Sequence, residues 1–139
     1  MLLVQGDRCI RSIAPGDADL RAPAFADRSP SGGTLICDTG NRRIVELDAE
    51  EAGRRSWAPT LARRRSFSIP RSIEVREGRL LVADSAEDVV AEIDWSGRVH
   101  RLVGLDGSTR LDDPHSVQAL EGGHLLICDS GNSRVRRRG

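Results

Sequence analysis

The chain has 139 residues, with 21 Lys or Arg against 21 Asp or Glu and no net formal charge. That balance argues against a nucleic-acid partner, which needs a basic face, and Phe25, Phe67, Trp57 and Trp95 are too few aromatics for a base-stacking platform. No apolar run of about 18 residues and no signal peptide occurs, so no membrane contact is expected and a cytoplasmic location is the default reading. Every basic residue is Arg. The length predicts one domain or part of one.

Taken in order, the chain opens on a short apolar start, Met1-Leu2-Leu3-Val4, and a strand-like stretch from Arg8 to Ile13. Then a unit begins at Pro23 and repeats. Its mark is an apolar strand ending in Asp, at Asp38, Asp84 and Asp129, which are 46 and 45 residues apart. A Pro precedes each, at Pro23, Pro70 and Pro114. The second unit shows the scheme best. Strand a runs from Ile69 to Arg76, Glu77-Gly78 is a tight turn, and Leu80 to Ala83 is strand b. A b–c loop spans Asp84 to Asp88, strand c alternates from Val89 to Asp94, and strand d follows the Asp94–Gly97 turn, from Arg98 to Val103. Gly or Pro interrupts every candidate helix, so a helical reading fails.

Four antiparallel strands every 40 to 50 residues predict an all-β fold, a β-propeller built of four-stranded blades. The predicted division is 1–22 for terminal strands and a linker, 23–69 for blade one, 70–113 for blade two, and 114–139 for blade three with strands a to c only. The spacing from Gly6 to Pro23 equals that from Gly97 to Pro114, so Arg8 to Ile13 aligns with a d strand. Three blades are fewer than a usual ring. Two readings stand: a homodimer completing a six-bladed ring, each N-terminal strand finishing the partner's last blade, or a piece of a longer propeller.

Chemistry is thin. Cys9, Cys37 and Cys128 form no metal spacing and read as small buried side chains. Asp106, Asp112 and Asp113 lack calcium-loop spacing, so neither metal nor cofactor is expected. Ser72 and Ser116 have no positioned base. Arg63, Arg64 and Arg65 read as a solvated linker. His100 and His124 read as surface residues. In the Asp-Ser/Thr-Gly-Asn loops, Gly40 and Gly131 are expected at left-handed φ, with Asn41 and Asn132 tolerating the same region. Arg43 and Arg134 are expected to bridge to loop acids or to carbonyls nearby.

Pro70-Arg71-Ser72-Ile73, Pro114-His115-Ser116-Val117 and the loops at 38–44 and 129–135 resemble the NHL family of β-propellers. The middle copy departs, with Ala86, Glu87 and Val89 in place of Gly, Asn and Arg. The resemblance implies a propeller and says little about activity. Strands alternate direction in a meander, so the b–c loops and d–a connections emerge at one end. Arg71 and His115 would stand there at the starts of inner strands, with Asn41, Arg42, Asn132 and Arg134 farther out. The favoured reading is a non-catalytic binding or scaffold module for a peptide, protein or small ligand at that end. The alternative is a propeller enzyme of the lyase, lactonase or sulfotransferase-like kind, with His115 as its catalytic residue and Arg71 holding an anion.

Overall fold

A computed structural model describes residues 2–5, 8–12, 19–50, 54–59, 61 and 66–139. The side chains of 62–65 and of Cys9 lie outside the described residues. Among the described residues there are strands and short 3-10 turns, and no helix is long and apolar enough to cross a membrane.

The strands are β1 (Leu2–Gln5), β2 (Arg8–Ser12), β3 (Phe25–Arg28), β4 (Thr34–Asp38), β5 (Arg43–Leu47), β6 (Arg54–Trp57), β7 (Pro70–Arg76), β8 (Arg79–Asp84), β9 (Val89–Asp94), β10 (Val99–Val103), β11 (Pro114–Ala119), β12 (Leu125–Asp129) and β13 (Arg134–Arg138). They form antiparallel meanders in chain order: β3 to β6, β7 to β10, and β11 to β13. The fold is an all-β, propeller-like succession of sheets. Among the described residues β1 and β2 pair only with each other, and β13 has no fourth strand beside it. A hairpin between sequence neighbours closes with little loss of chain entropy.

The middle sheet explains why β8 reads as a continuous apolar run. Side chains on a strand point alternately to its two faces, and both faces here are covered. Leu80 and Val82 join Leu35, Cys37, Ile44 and Phe67 in the core between the first and second sheets. Leu81 and Ala83 join Val117, Leu125 and Ile127 between the second and third. Burying each such aliphatic side chain stabilises the stack by about 1.5–3 kcal/mol. Phe67 is fully buried, supplied by the linker that enters the second sheet. Trp57 meets Trp95 edge-to-face, centroids 5.7 Å apart, and its Nε1–H donates to the Trp95 carbonyl at 3.0 Å. The first and second sheets are thereby tied at their outer strands as well as by their core.

The turns follow local chemistry. Glu77 and Gly78 both have positive φ, 46° and 75°, the pairing a two-residue hairpin needs. Gly97 has φ 86° and closes the β9–β10 turn, whose Asp94 accepts the Ser96 and Arg98 amides.

Candidate functional site

The repeated Asp is the anchor of one end of the molecule. Asp38, Asp84 and Asp129 are fully buried. Each takes the backbone N–H two residues before the Pro at the entrance to its own sheet: Arg21 N–H to Asp38 at 2.6 Å, Ser68 N–H to Asp84 at 2.7 Å, Asp112 N–H to Asp129 at 2.8 Å. A buried carboxylate needs such donors, because burial without them costs several kcal/mol. The Asp therefore fastens the incoming linker to its own sheet.

The side chains expected to face a ligand partly serve this anchor. Asn41 Nδ2 donates to Asp38 at 2.8 Å and to the Asp19 carbonyl, and Asn132 Nδ2 donates to both oxygens of Asp129. Arg43 Nε pairs with Asp38, and Arg134 Nε with Asp129, each at 2.7 Å. The arginines also reach linker carbonyls, Arg43 to Asp19 and Arg134 to Arg110. Arg136 adds a second cation to Asp129 at 3.1 Å. Arg42 is exposed at the loop tip.

The expectation about the glycines is corrected. The left-handed residues of these loops are Arg42 (φ 55°), Asp88 (φ 57°) and Ser133 (φ 52°), each two residues beyond the Gly slot. Gly40 and Gly131 are needed for closeness instead. A Cβ on Gly40 would lie 2.7 Å from the Arg21 carbonyl oxygen, and one on Gly131 would lie 2.5 Å from Asp112 Cγ. Their amides donate to the Arg21 and Asp112 carbonyls at 2.8 and 2.9 Å. The linker lies against the loop backbone there, and a side chain would hold it off. Asn41 and Asn132 sit in the 3-10 turn rather than at positive φ.

The middle loop has lost the Arg, and its electrostatics change. Burial pushes the Asp84 carboxyl above its ordinary range, although the Ile69, Ser68, Glu87 and Ala86 amides draw it back. Burial also opposes charge on Asp129, but the Asp112 amide, Arg134 and Asn132 outweigh it and hold the carboxyl low. One slot thus contains a carboxylate with cations and a carboxylate without.

Arg71 and His115 each bond into the seam between the second and third sheets, with no bond to one another among the described residues. Arg71 Nε donates to Ser85 Oγ at 2.8 Å, and Ser85 Oγ donates to the Pro114 carbonyl at 2.9 Å. His115 Nε2 lies 3.1 Å from Asp113 Oδ2, and the Asp113 amide donates to Asp88 at 2.9 Å. The Ser85 hydroxyl, then His115 and Arg71, keep the Asp113 carboxyl below the usual range. A carboxylate of the chain itself is therefore the partner of His115, while Arg71 spends its Nε on Ser85. His115 is nonetheless exposed, its side chain 45% accessible.

Sequence reasoning missed the opposite end. There a cleft of about 540 Å³ opens between the first and second sheets, lined in part by Ser29, Ser31, Glu46, Arg55, Gly78 and Trp95. A second cleft of about 300 Å³ lies one sheet later, with Arg79, Glu92, Arg101 and Gly123 in its wall. The available signal was Glu46, a charge set inside the apolar strand Ile44-Val45-Glu46-Leu47. Among the described residues no group of three His, Cys, Asp or Glu could hold a metal.

Comparison with known proteins fits this frame. The NHL repeat family model matches residues 111–137, the span that carries His115, Asp129, Asn132 and Arg134. Residues 111–137 match the NHL repeat. The NHL repeat thus covers the third sheet and its Asp loop. Among solved structures, streptogramin B lyase superposes with a TM-score of 0.64 at 14% identity, over 81% of this chain and 35% of that one. Hydrazine synthase of Kuenenia stuttgartiensis superposes at 0.58 with 18% identity, over 86% and 36%. A protein of unknown function from Bacteroides caccae does so at 0.57 with 20% identity, over 78% and 39%. At such identities the likeness is one of fold. This chain spans little more than a third of their lengths. No curated protein matches its sequence.

Proposed function

We propose that this chain is a non-catalytic binding or scaffold module that recognises a peptide, protein or small ligand at the end bearing the Asp loops. The observation that carries this reading is the position of Asp113. An anionic substrate group, or an oxyanion forming in a reaction, needs preorganised donors free to face it. Asp113 already takes the Nε2 of His115 and lies within the field of Arg71. Arg42 and Ser133 stay exposed at that end and offer donors to a ligand instead, beside the exposed ring of His115. The test is selection of peptide binders from a displayed library on the intact chain. Peptides that bind the wild type and lose binding to an Arg42→Ala, His115→Ala double variant support the reading. Peptides that bind both equally, or no binders above background, overturn it. A cytoplasmic location belongs to the same reading, supported by the free thiols of Cys37 and Cys128.

A catalytic reading rests on the same pair. Asp113 orients the imidazole of His115, the arrangement of a general acid–base dyad. Streptogramin B lyase shares the fold, so streptogramin B is the substrate to try. Loss of that compound with the wild type, but not with His115→Ala, supports an enzyme. Its persistence with both removes the idea.

As partner at the third sheet we propose a second copy of the chain. Support comes from Val135, which is 63% exposed where its counterparts Ile44 and Val90 are buried, and from the bare edge of β13. Light scattering that gives about twice 15.2 kDa supports a dimer, and a folded monomer at high concentration excludes it.

A further inference from the structure

The two clefts at the end opposite the Asp loops are the same site, one sheet apart. Glu46 and Glu92 occupy one register position: Glu46 pairs with Leu35 and Arg55, and Glu92 with Leu81 and Arg101. In the second cleft the carboxylate of Glu92 takes the guanidinium of Arg79, Nη1 to Oε1 at 2.5 Å. Arg79 opens β8, one residue before the pair Leu80–Ile93. The first sheet has Gly33 there, one residue before the equivalent pair Thr34–Leu47. No side chain fits at Gly33, because a Cβ would lie 1.9 Å from the Leu47 carbonyl oxygen.

Glu46 consequently lacks the cation that Glu92 has. It is 94% buried by the exposure of only 6% that remains. Its Oε1 accepts from the Ser29 and Ser31 hydroxyls. Its Oε2 has no hydrogen-bond or ion-pair partner among the described residues, although the side chain lines the larger cleft. Arg55 sits in register on β6 and makes no ion pair with it. Oε2 is not among the buried unpaired atoms, so it opens onto the cleft, where a charged donor can take the place of water. Trp95 supplies an aromatic wall in the same cleft, a surface on which planar cations stack.

We propose that the first cleft binds a guanidinium group, which docks on Glu46 Oε2 beside Trp95 as Arg79 docks on Glu92. The group belongs either to a small guanidine compound or to an arginine side chain of a peptide. This site lies apart from the Asp-loop end, so its failure leaves that reading standing.

The test uses the intact chain and N-acetyl-arginine amide, whose only charge is the guanidinium. Binding is followed by calorimetry at low salt and by tryptophan emission, to which Trp95 contributes. Saturable binding at about 1 mM or tighter is expected. Glu46→Gln should weaken it by about tenfold or more, since the charged half of the contact is gone. Glu92→Gln should leave it unchanged. If Glu46→Gln does not fold, Trp95→Leu serves, with a weakening of several-fold expected. A tripeptide with central arginine that binds more tightly than the amide assigns the site to peptides, and equal binding assigns it to small guanidines. No saturation with the folded wild type, or equal binding by Glu46→Gln, overturns the proposal.

Discussion

Ser85 Oγ donates to the carbonyl oxygen of Pro114 at 2.9 Å, a bond from the loop of one sheet to the first residue of the next. Thr39 Oγ1 makes the same bond to Pro70 at 2.6 Å one step earlier. Pro70 and Pro114 are buried at these seams, whereas Pro23, which receives no such bond among the described residues, is exposed. The Ser or Thr after the Asp is therefore a latch between sheets, and Ser130 holds the same slot beside the open third sheet.

Ser85→Ala should lower stability by about 1–3 kcal/mol, because it leaves the Pro114 carbonyl unserved and removes the acceptor of Arg71 Nε. Ser85→Thr should restore most of the loss, since Thr39 fills that slot in the first sheet. Urea midpoints of the three proteins decide it. An alanine variant as stable as the wild type would make the latch ornamental.

Gly40→Ala and Gly131→Ala should differ. At Gly40 the new methyl meets the Arg21 carbonyl, which is backbone and cannot swing away. At Gly131 it meets the carboxylate of exposed Asp112, which can rotate. The first should cost about 1–3 kcal/mol and the second clearly less. Equal costs in denaturant titration would show that the linker, rather than one side chain, gives way at both sites.

The two differently surrounded carboxylates predict opposite pH behaviour. The Asp129 carboxyl is held low, so its contribution to stability is present above its unfolded value and fades as acid takes pH through its folded value. The Asp84 carboxyl is raised, so folding favours its protonated form, and stability falls as pH rises from its unfolded value through its folded one. Asp129→Asn should therefore be most damaging near neutral pH and converge on the wild type in acid. Asp84→Asn should improve relative to the wild type as pH rises. Melting curves between about pH 3 and pH 7 read both trends, and parallel profiles would contradict them.

Phe67→Ala should cost about 3–5 kcal/mol, because the ring is wholly buried between the first two sheets and its loss leaves a cavity there. Tryptophan emission should report the loosening, since Trp57 belongs to the same core. A small change in stability would mean that Leu61 and Ile73 can collapse into the space.

Periodicity alone settled the all-β character, the order of the strands and the hairpin turns at Glu77-Gly78 and Gly97. Those features depend on which face of a strand is apolar and on which residues accept positive φ, both written locally. The repeated Asp, Gly and Asn were equally plain as a pattern, and the link from Arg43 and Arg134 to the loop acids was legible in outline. What the glycines were for was not. Gly40 is glycine because a linker 19 residues earlier lies on top of it, and no local rule encodes that contact. The bond of Arg71 to Ser85, the bond of Ser85 to Pro114, and the cleft that Glu46 lines likewise depend on how one sheet packs on the next. Only tertiary structure decides such things, because the donor, acceptor or steric partner comes from a distant part of the chain.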